Sequence, residues 1–379
     1  MPCFDRLEET AALWQQLAAG RNLLMLAPRR IGKTVLLNHL FATAPANRFR
    51  AILLDVEGLM DEKAFFRECC ASIQEEQSTG KRVMASFAQR LSQLLHGGGA
   101  QAEEGWRGLL VRTDWQAFAE ALLDHIDDHQ DDPPWVILVD ELPVFLQRLQ
   151  ERDGAAAIRD FLYWLRGMRQ KHRRIRWLYA GSIGLDGVAR RHRVEGALND
   201  LDPFQLGPFS PDTARGFLAD LAARRGLALR DGAADRVCER LGWLSPYYLE
   251  RIAEDACARA AAGSVVDLGQ VDAAMDRLLD LDKRLYWASW REHLDRNFPE
   301  PDRARLYRVL ETVAKADAGA DTGLLLAALT RGDQLVSELE LRDLLDTLCT
   351  DGYLVRAADG RYRFQMRLLR EWWLRFVVL

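Results

Sequence analysis

The sequence predicts an α/β fold with a parallel sheet, followed by an all-α region and by three helices with a β-hairpin. Two observations lead to this prediction. Short apolar runs alternate with helical patterns over the first ~210 residues, as in parallel sheets with crossover helices. One run, Trp-Val-Ile-Leu-Val at 135–139, is unbroken and rich in β-branched residues, as expected for a strand buried on both faces.

The strands and helices follow from these patterns. The N-terminal segment 4–19 reads as an amphipathic helix. The predicted strands are 23–26, 51–55, 135–139, 175–180 and a weaker one around 204–206. Between the second and third strands, the helices are predicted near 61–77, 81–96 and 114–128.

A chain of 379 residues exceeds one ordinary core, so its length predicts two or three domains, and the patterns along the chain divide it into three. The first is an α/β domain over 1–210, with a helical insertion at about 56–134. A helical domain and linker follow over 211–300. The last, 301–379, has three helices and a β-hairpin, the outline of a winged-helix domain.

Composition restricts the function and the cellular location. The formal net charge of −5 argues against a protein that binds polyanions over its whole surface. The six cysteines include no CxxC pair, which indicates reduced thiols rather than disulfides or a zinc site. No segment approaches the 18 apolar residues of a membrane span, and the N-terminus has no signal-peptide pattern. We therefore expect a cytoplasmic protein without membrane contact.

The segment 27–34, Ala-Pro-Arg-Arg-Ile-Gly-Lys-Thr, fits the phosphate-binding pattern GxxxxGK(S/T) except at Ala27, which replaces glycine. It lies between a predicted strand and a predicted helix, so backbone N–H groups and the helix N-terminus can surround an anion. Gly32 lets the backbone approach the phosphates, Lys33 reaches the β- and γ-phosphates, and the Thr34 hydroxyl ligates magnesium. The sequence therefore predicts a site for ATP and Mg²⁺. The nucleotide-binding residues predicted there are Pro28, Arg29, Arg30, Ile31, Gly32, Lys33, Thr34 and Val35.

Two carboxylates close the apolar run at 135–139. Asp140 would hold magnesium through water, and Glu141 would polarise the attacking water. A solvated strand end is the alternative for an isolated Asp-Glu pair, but the phosphate loop favours the functional interpretation. We therefore predict Lys33 and Glu141 as catalytic residues, and Thr34 and Asp140 as metal-binding residues.

Ser182, after the fourth strand, is a third catalytic candidate because a polar side chain there can touch the γ-phosphate or position water. A helix cap or a turn is the equal alternative for this serine. Two groups of arginines could stabilise transition-state charge, in cis or from a neighbouring subunit, and a solvated basic loop is their alternative. These arginines are Arg29, Arg30, Arg190, Arg191 and Arg193.

The chain resembles the STAND-type P-loop ATPases, specifically the archaeal-type ATPase group, which is related to replication-initiator AAA+ proteins. The segments that carry the resemblance are 4–17, 27–34, 138–141, 180–185, 242–248 and the C-terminal 362–372. It implies a P-loop NTPase sheet of the ASCE and AAA+ type, with an additional strand between the phosphate-loop strand and the Asp140 strand. It also implies a helical lid and a winged-helix domain, with Pro246 of the family's glycine-proline motif near the adenine. In such proteins ATP acts as a conformational switch, often with oligomerisation.

The charges of the predicted winged helix bear on its partner. Its third helix, about 337–351, contains five acidic residues against the single Arg342, and DNA phosphates would be repelled there. The hairpin and the following helix are rich in arginine, so DNA binding through the wing is the less favoured alternative. We therefore expect a switch ATPase that binds a protein partner or a second copy of itself. The alternatives are an ATPase that loads or remodels DNA complexes and a nucleotide-binding scaffold without hydrolysis.

Overall fold

The computed structural model describes residues 4–76, 80–96, 105–128, 132–181, 185–261, 263–331 and 336–378. The chain divides into two compact units. The first comprises Met1–Ala27 and Lys33–Leu206, and the second comprises Pro28–Gly32 and Gly207–Leu379. The segment Pro28–Gly32 therefore packs with the second unit, although its neighbours along the chain belong to the first.

A five-stranded parallel sheet lies in the first unit. Its strands are β1 (Asn22–Leu26), β2 (Arg50–Asp55), β3 (Trp135–Asp140), β4 (Ile175–Tyr179) and β5 (Leu201–Gln205). The strand order is β2-β3-β4-β1-β5, so β4 is the additional strand that the resemblance implied between β1 and β3. Every residue of β3 is buried, as its unbroken apolar run predicted. The edge strand β5 begins three residues before the predicted position, because Asp202 and Pro203 interrupt its apolar pattern.

Helices connect and cover these strands. They are α1 (Leu7–Ala18), α2 (Lys33–Thr43), α3 (Glu62–Glu75), α4 (Gly80–His96), α5 (Trp106–Arg112), α6 (Trp115–Asp127), α7 (Leu142–Asp153), α8 (Ala155–Lys171) and α9 (Leu185–Arg191). In the insertion, α3, α4 and α6 match the three predicted helices. The sequence did not predict α5, since seven residues are too few to establish a helical period. Trp106 is buried there and donates its indole N–H to Gln74 Oε1 at 2.8 Å.

From Gly207 onward, the second unit begins with a group of four helices. They are α10 (Pro211–Ala223), α11 (Ala233–Leu241), α12 (Pro246–Ala258) and α13 (Leu268–Arg277). The prediction of an exclusively helical segment here was wrong in one respect. Two short strands, β6 (Ala228–Leu229) and β7 (Val265–Val266), pair in parallel between the helices. Two residues cannot display the alternation that marks a strand in a sequence.

The C-terminal part follows the predicted order of three helices and a hairpin. After α14 (Leu285–Asn297), it contains α15 (Asp302–Lys315), α16 (Thr322–Thr330), α17 (Glu338–Thr350), β8 (Leu354–Arg356), β9 (Tyr362–Phe364) and α18 (Arg367–Phe376). The strands β8 and β9 are antiparallel. Trp373 of α18 is fully buried and its ring contacts those of Tyr307, Tyr353 and Phe364, so this part has an aromatic core. Among the helices described in either unit, none has the length and apolar character needed to cross a bilayer.

Candidate active site

The phosphate loop connects β1 to α2. Gly32 has φ of +91°, and a Cβ at this position would meet no atom within 4 Å. The backbone conformation, rather than a lack of space, therefore favours glycine at this position. Arg30 also lies in the left-handed region, with φ of +64°. Two left-handed residues this close together turn the chain sharply into the first turn of α2.

Lys33 is the first residue of α2 and is 7% exposed. Its Nζ donates a hydrogen bond to the carbonyl oxygen of Ala27 at 3.0 Å, so the side chain reaches back across the loop. The acceptor is a backbone carbonyl, which alanine supplies as well as the glycine of the motif does. Ala27 has no positive φ, which is the condition under which a small residue can replace the first glycine of the motif.

Asp140 lies at the end of β3 beside Thr34. The Thr34 hydroxyl donates to Asp140 Oδ2 at 2.7 Å, and the Glu141 N–H donates to Asp140 Oδ1 at 3.0 Å. Asp140 is only 4% exposed. Burial raises the pKa of Asp140 above its usual value, and the Thr34 hydrogen bond opposes that shift. The structure therefore brings together the two residues predicted to bind the metal.

The oxygens of Thr34 and Asp140 fit magnesium, which prefers hard oxygen ligands and keeps several waters and phosphate oxygens in its shell. Throughout the described ranges, no group of three or more His, Cys, Asp or Glu could hold a metal ion. Asp140 and Thr34 would offer an ion at this position one carboxylate and one hydroxyl.

Glu141 is the residue immediately before α7 and is half-buried. It has φ of +59°, a strained conformation for a residue other than glycine. Pro143 in the first turn of α7 is compatible with the start of a helix at this point. Glu141 thus follows the buried strand end directly and is held at a sharp strand-to-helix turn.

The other predicted residues have different outcomes. Ser182 lies in 182–184, outside the described residues, so its role stays a prediction. Arg190 and Arg191 form the last turn of α9, and Arg193 follows two residues later. All three arginines are exposed. Their exposure is compatible with a contact to another molecule, and the role of each stays a prediction.

Arg29 and Arg30 belong to the second unit and contact α14. Arg29 Nη1 donates to the Ser289 carbonyl at 3.3 Å, and Arg30 Nη2 donates to Ser289 Oγ at 3.2 Å. The Arg30 guanidinium also lies 4.2 Å from the centre of the Tyr247 ring, a cation–π contact. The sequence did not predict Ser289 or Tyr247, because neither belongs to a phosphate-loop motif.

Pro246, predicted near the adenine, is the first residue of α12. Ser245 immediately precedes it and donates its hydroxyl to the Arg30 carbonyl at 2.6 Å. Within the second unit the N-terminus of α12 therefore contacts the phosphate-loop segment Pro28–Gly32. Contact of Pro246 with a nucleotide stays a prediction. A serine before proline reads in a sequence as an ordinary helix cap, which is why Ser245 was not predicted.

A parallel sheet with β4 between β1 and β3, a phosphate loop, and a carboxylate at the end of β3 define a P-loop ATPase. The family model described as AAA domain matches residues 18–188. The chain accordingly contains an AAA-type P-loop ATPase domain, and solved structures share its fold.

Solved structures that share this fold include two examples. A Walker-type ATPase of Pyrococcus abyssi has 18% identity and a TM-score of 0.65, over 98% of this chain and 95% of that one. The ORC2 protein of Aeropyrum pernix, solved as ADPNP–ADP complexes, has 15% identity and a TM-score of 0.56, over 98% of this chain and 93% of that one. No curated protein sequence matches the chain.

Proposed function

We propose that this ATPase is a STAND-type switch, in which ATP with Mg²⁺ changes the arrangement of the second unit and so controls association with a protein partner or a second copy. We also propose that the C-terminal helices α15–α17 and the β8–β9 hairpin form a winged-helix domain. One observation carries the proposal: Ser289 of α14 receives hydrogen bonds from both phosphate-loop arginines, Arg29 and Arg30.

Nucleotide phosphates would compete with Ser289 for these arginines. Hydrogen bonds between a guanidinium and phosphate are charge-assisted and stronger than those to a neutral hydroxyl or carbonyl. Binding of ATP would therefore draw Arg29 or Arg30 away from α14. A ligand shifts a conformational equilibrium only through such differences in contact between two states.

The same helix contacts the C-terminal part. His293 lies one turn after Ser289, and its Nε2 is 2.8 Å from Asp351 Oδ2, with both side chains buried. The Trp290 ring packs edge-on against Tyr353 at 4.9 Å, and the Tyr353 hydroxyl donates to the Trp290 carbonyl. Residues at i and i+4 share one face of a helix. We infer that α14 transmits the state of the phosphate loop to the winged helix.

The charges of the C-terminal part support a protein partner over DNA. The exposed residues of α17 include Glu338, Asp343 and Asp346 against Arg342. Asp351 belongs to the interior instead: it is 5% exposed and accepts a hydrogen bond from His293, so counting it as part of the acidic surface was wrong. The remaining exposed carboxylates still oppose entry of α17 into a DNA groove.

Two of the arginines that could favour a DNA contact are already paired. Arg363 of β9 lies 2.6 Å from Asp359, and Arg370 of α18 pairs with Asp317 and donates to the Ala314 carbonyl. A DNA phosphate would have to replace these partners. The rival function, loading or remodelling of DNA, predicts an ATPase rate that DNA stimulates and that salt suppresses.

The switch is tested by hydrogen exchange on Glu141→Gln protein, with and without ATP and Mg²⁺. We expect ATP to change the exchange of the α14 amides, and Lys33→Ala protein to show no such change. An α14 that exchanges identically with ATP bound would contradict the switch. Light scattering on the same samples identifies the partner: a mass that rises with ATP supports self-association, and a constant mass supports a different protein.

A further inference from the structure

Two Ser-Pro pairs begin helices of the second unit, and their serines behave differently. Ser210 precedes Pro211 at the start of α10, and its Oγ accepts a hydrogen bond from the Thr213 N–H at 3.1 Å. Ser245 precedes Pro246 at the start of α12 and makes no such bond to its own helix. Ser245 is 0% exposed. Its hydroxyl donates instead to the carbonyl oxygen of Arg30 at 2.6 Å.

The Arg30 carbonyl belongs to a strained part of the phosphate loop. Arg30 has φ of +64°, in a region that residues other than glycine and asparagine seldom adopt. Such conformations persist only where surrounding contacts hold them. Two peptide bonds connect Arg30 to Gly32. The orientation of these two peptide groups decides where their N–H groups point.

We propose that Ser245 is a positioning residue for the phosphate loop: its hydroxyl holds the Arg30 peptide in the conformation that presents backbone N–H groups to phosphate. A buried serine at a helix start normally caps its own helix. Ser245 gives its hydroxyl to the loop instead. The inference rests on the proposed phosphate-binding role of residues 27–34.

The contact of Ser245 is distinct from those of the Arg30 side chain. Tyr247 and Ser289 hold the guanidinium, whereas Ser245 holds the main chain. Loss of the Ser245 hydroxyl therefore disturbs the loop backbone while the positive charge remains in place. The loop contacts phosphate both before and during hydrolysis, so the change should appear mainly in KM and less in kcat.

The test compares Ser245→Ala with the matched variant Ser210→Ala in ATP titrations of the full chain. Losing one hydrogen bond of ordinary strength should raise KM for ATP about 3- to 10-fold in Ser245→Ala. Ser210→Ala removes a real helix cap, so it should lower the melting temperature and leave KM unchanged. Ser245→Gly should raise KM as Ser245→Ala does, because glycine also lacks the hydroxyl yet is a good residue before a helix.

A wild-type KM in Ser245→Ala or in Ser245→Gly would overturn the inference. So would an equal rise of KM in Ser210→Ala, since that would show a general effect of weakening the helices. These outcomes would not contradict phosphate binding by residues 27–34. That function would be contradicted by a different result, namely Lys33→Ala protein that binds ATP like the wild type.

Discussion

Thr34 donates its hydroxyl to Asp140 Oδ2 at 2.7 Å, although 106 residues separate the two in the chain. Thr34 lies in the first turn of α2, the helix after β1, and Asp140 ends β3, with β4 lying between the two strands. Parallel strands present their carboxyl ends at one edge of a sheet, where ligands bind in open α/β folds. The hydrogen bond between Thr34 and Asp140 therefore connects the phosphate loop to the carboxylate at the end of β3.

Replacement of Asp140 with asparagine should stabilise the nucleotide-free protein at neutral pH. An asparagine can keep both hydrogen bonds, with its oxygen accepting from Glu141 N–H and its amide donating to Thr34. The pKa of Asp140 is raised by burial, so its ionisation opposes folding. That penalty is absent at a pH below its unfolded pKa and complete above its folded pKa. Melting temperatures should show the largest gain for Asp140→Asn at neutral pH and a smaller one in acid.

The same variant should lose Mg²⁺-dependent hydrolysis. A metal ligand that stabilises transition-state charge contributes several kcal/mol, so the loss should be on the order of 100-fold or more. Phosphate release measured over a range of Mg²⁺ concentrations checks this. Full activity in Asp140→Asn would contradict the assignment of Asp140 to the metal.

Replacement of Lys33 with alanine should weaken ATP binding on the order of 100-fold, because a buried ammonium that meets phosphate is lost. Titration calorimetry with ATP measures the change. Lys171→Ala is the matched control: its ammonium pairs at the surface with Glu120 and Asp124, and we expect ATP to bind that variant normally.

Glu141→Gln should slow turnover by roughly 10²- to 10⁴-fold while ATP remains bound. A positioned carboxylate that accepts a proton from water contributes roughly 10²–10⁴ in rate. Glutamine has nearly the same shape, so the turn before α7 should survive. Single-turnover hydrolysis, together with the amount of ATP retained after gel filtration, separates the two effects. A variant that fails to retain ATP would indicate that Glu141 supports the site rather than the chemistry.

The buried pair of His293 and Asp351 should be important for stability. Removing one partner of a buried pair leaves the other without compensation, and we expect His293→Ala to cost about 3–5 kcal/mol of unfolding free energy. Arg303→Ala removes an exposed pair with Glu300 and should cost less than about 1 kcal/mol. Urea denaturation of both variants makes the comparison. A cost in His293→Ala no larger than that in Arg303→Ala would show that the pair is replaceable.

The sequence by itself determined the elements with strong local patterns. The unbroken run of β3, the phosphate loop at 27–34 and the carboxylates at 140–141 follow from residue type and spacing, so they could be predicted. The three insertion helices α3, α4 and α6 are long enough for their periodicity to be seen. The short elements α5, β6 and β7 are not, and only packing stabilises them.

The tertiary structure decided which residues hold the phosphate loop. Ser245 and Ser289 lie more than 200 positions from Arg30 along the chain, at separations of 215 and 259. A hydroxyl that caps its own helix and one that donates to a distant carbonyl look identical in a sequence. The same holds for Asp351, which reads as part of an acidic helix but is buried against His293. These contacts depend on how helices far apart in the chain pack, and no local pattern records that packing.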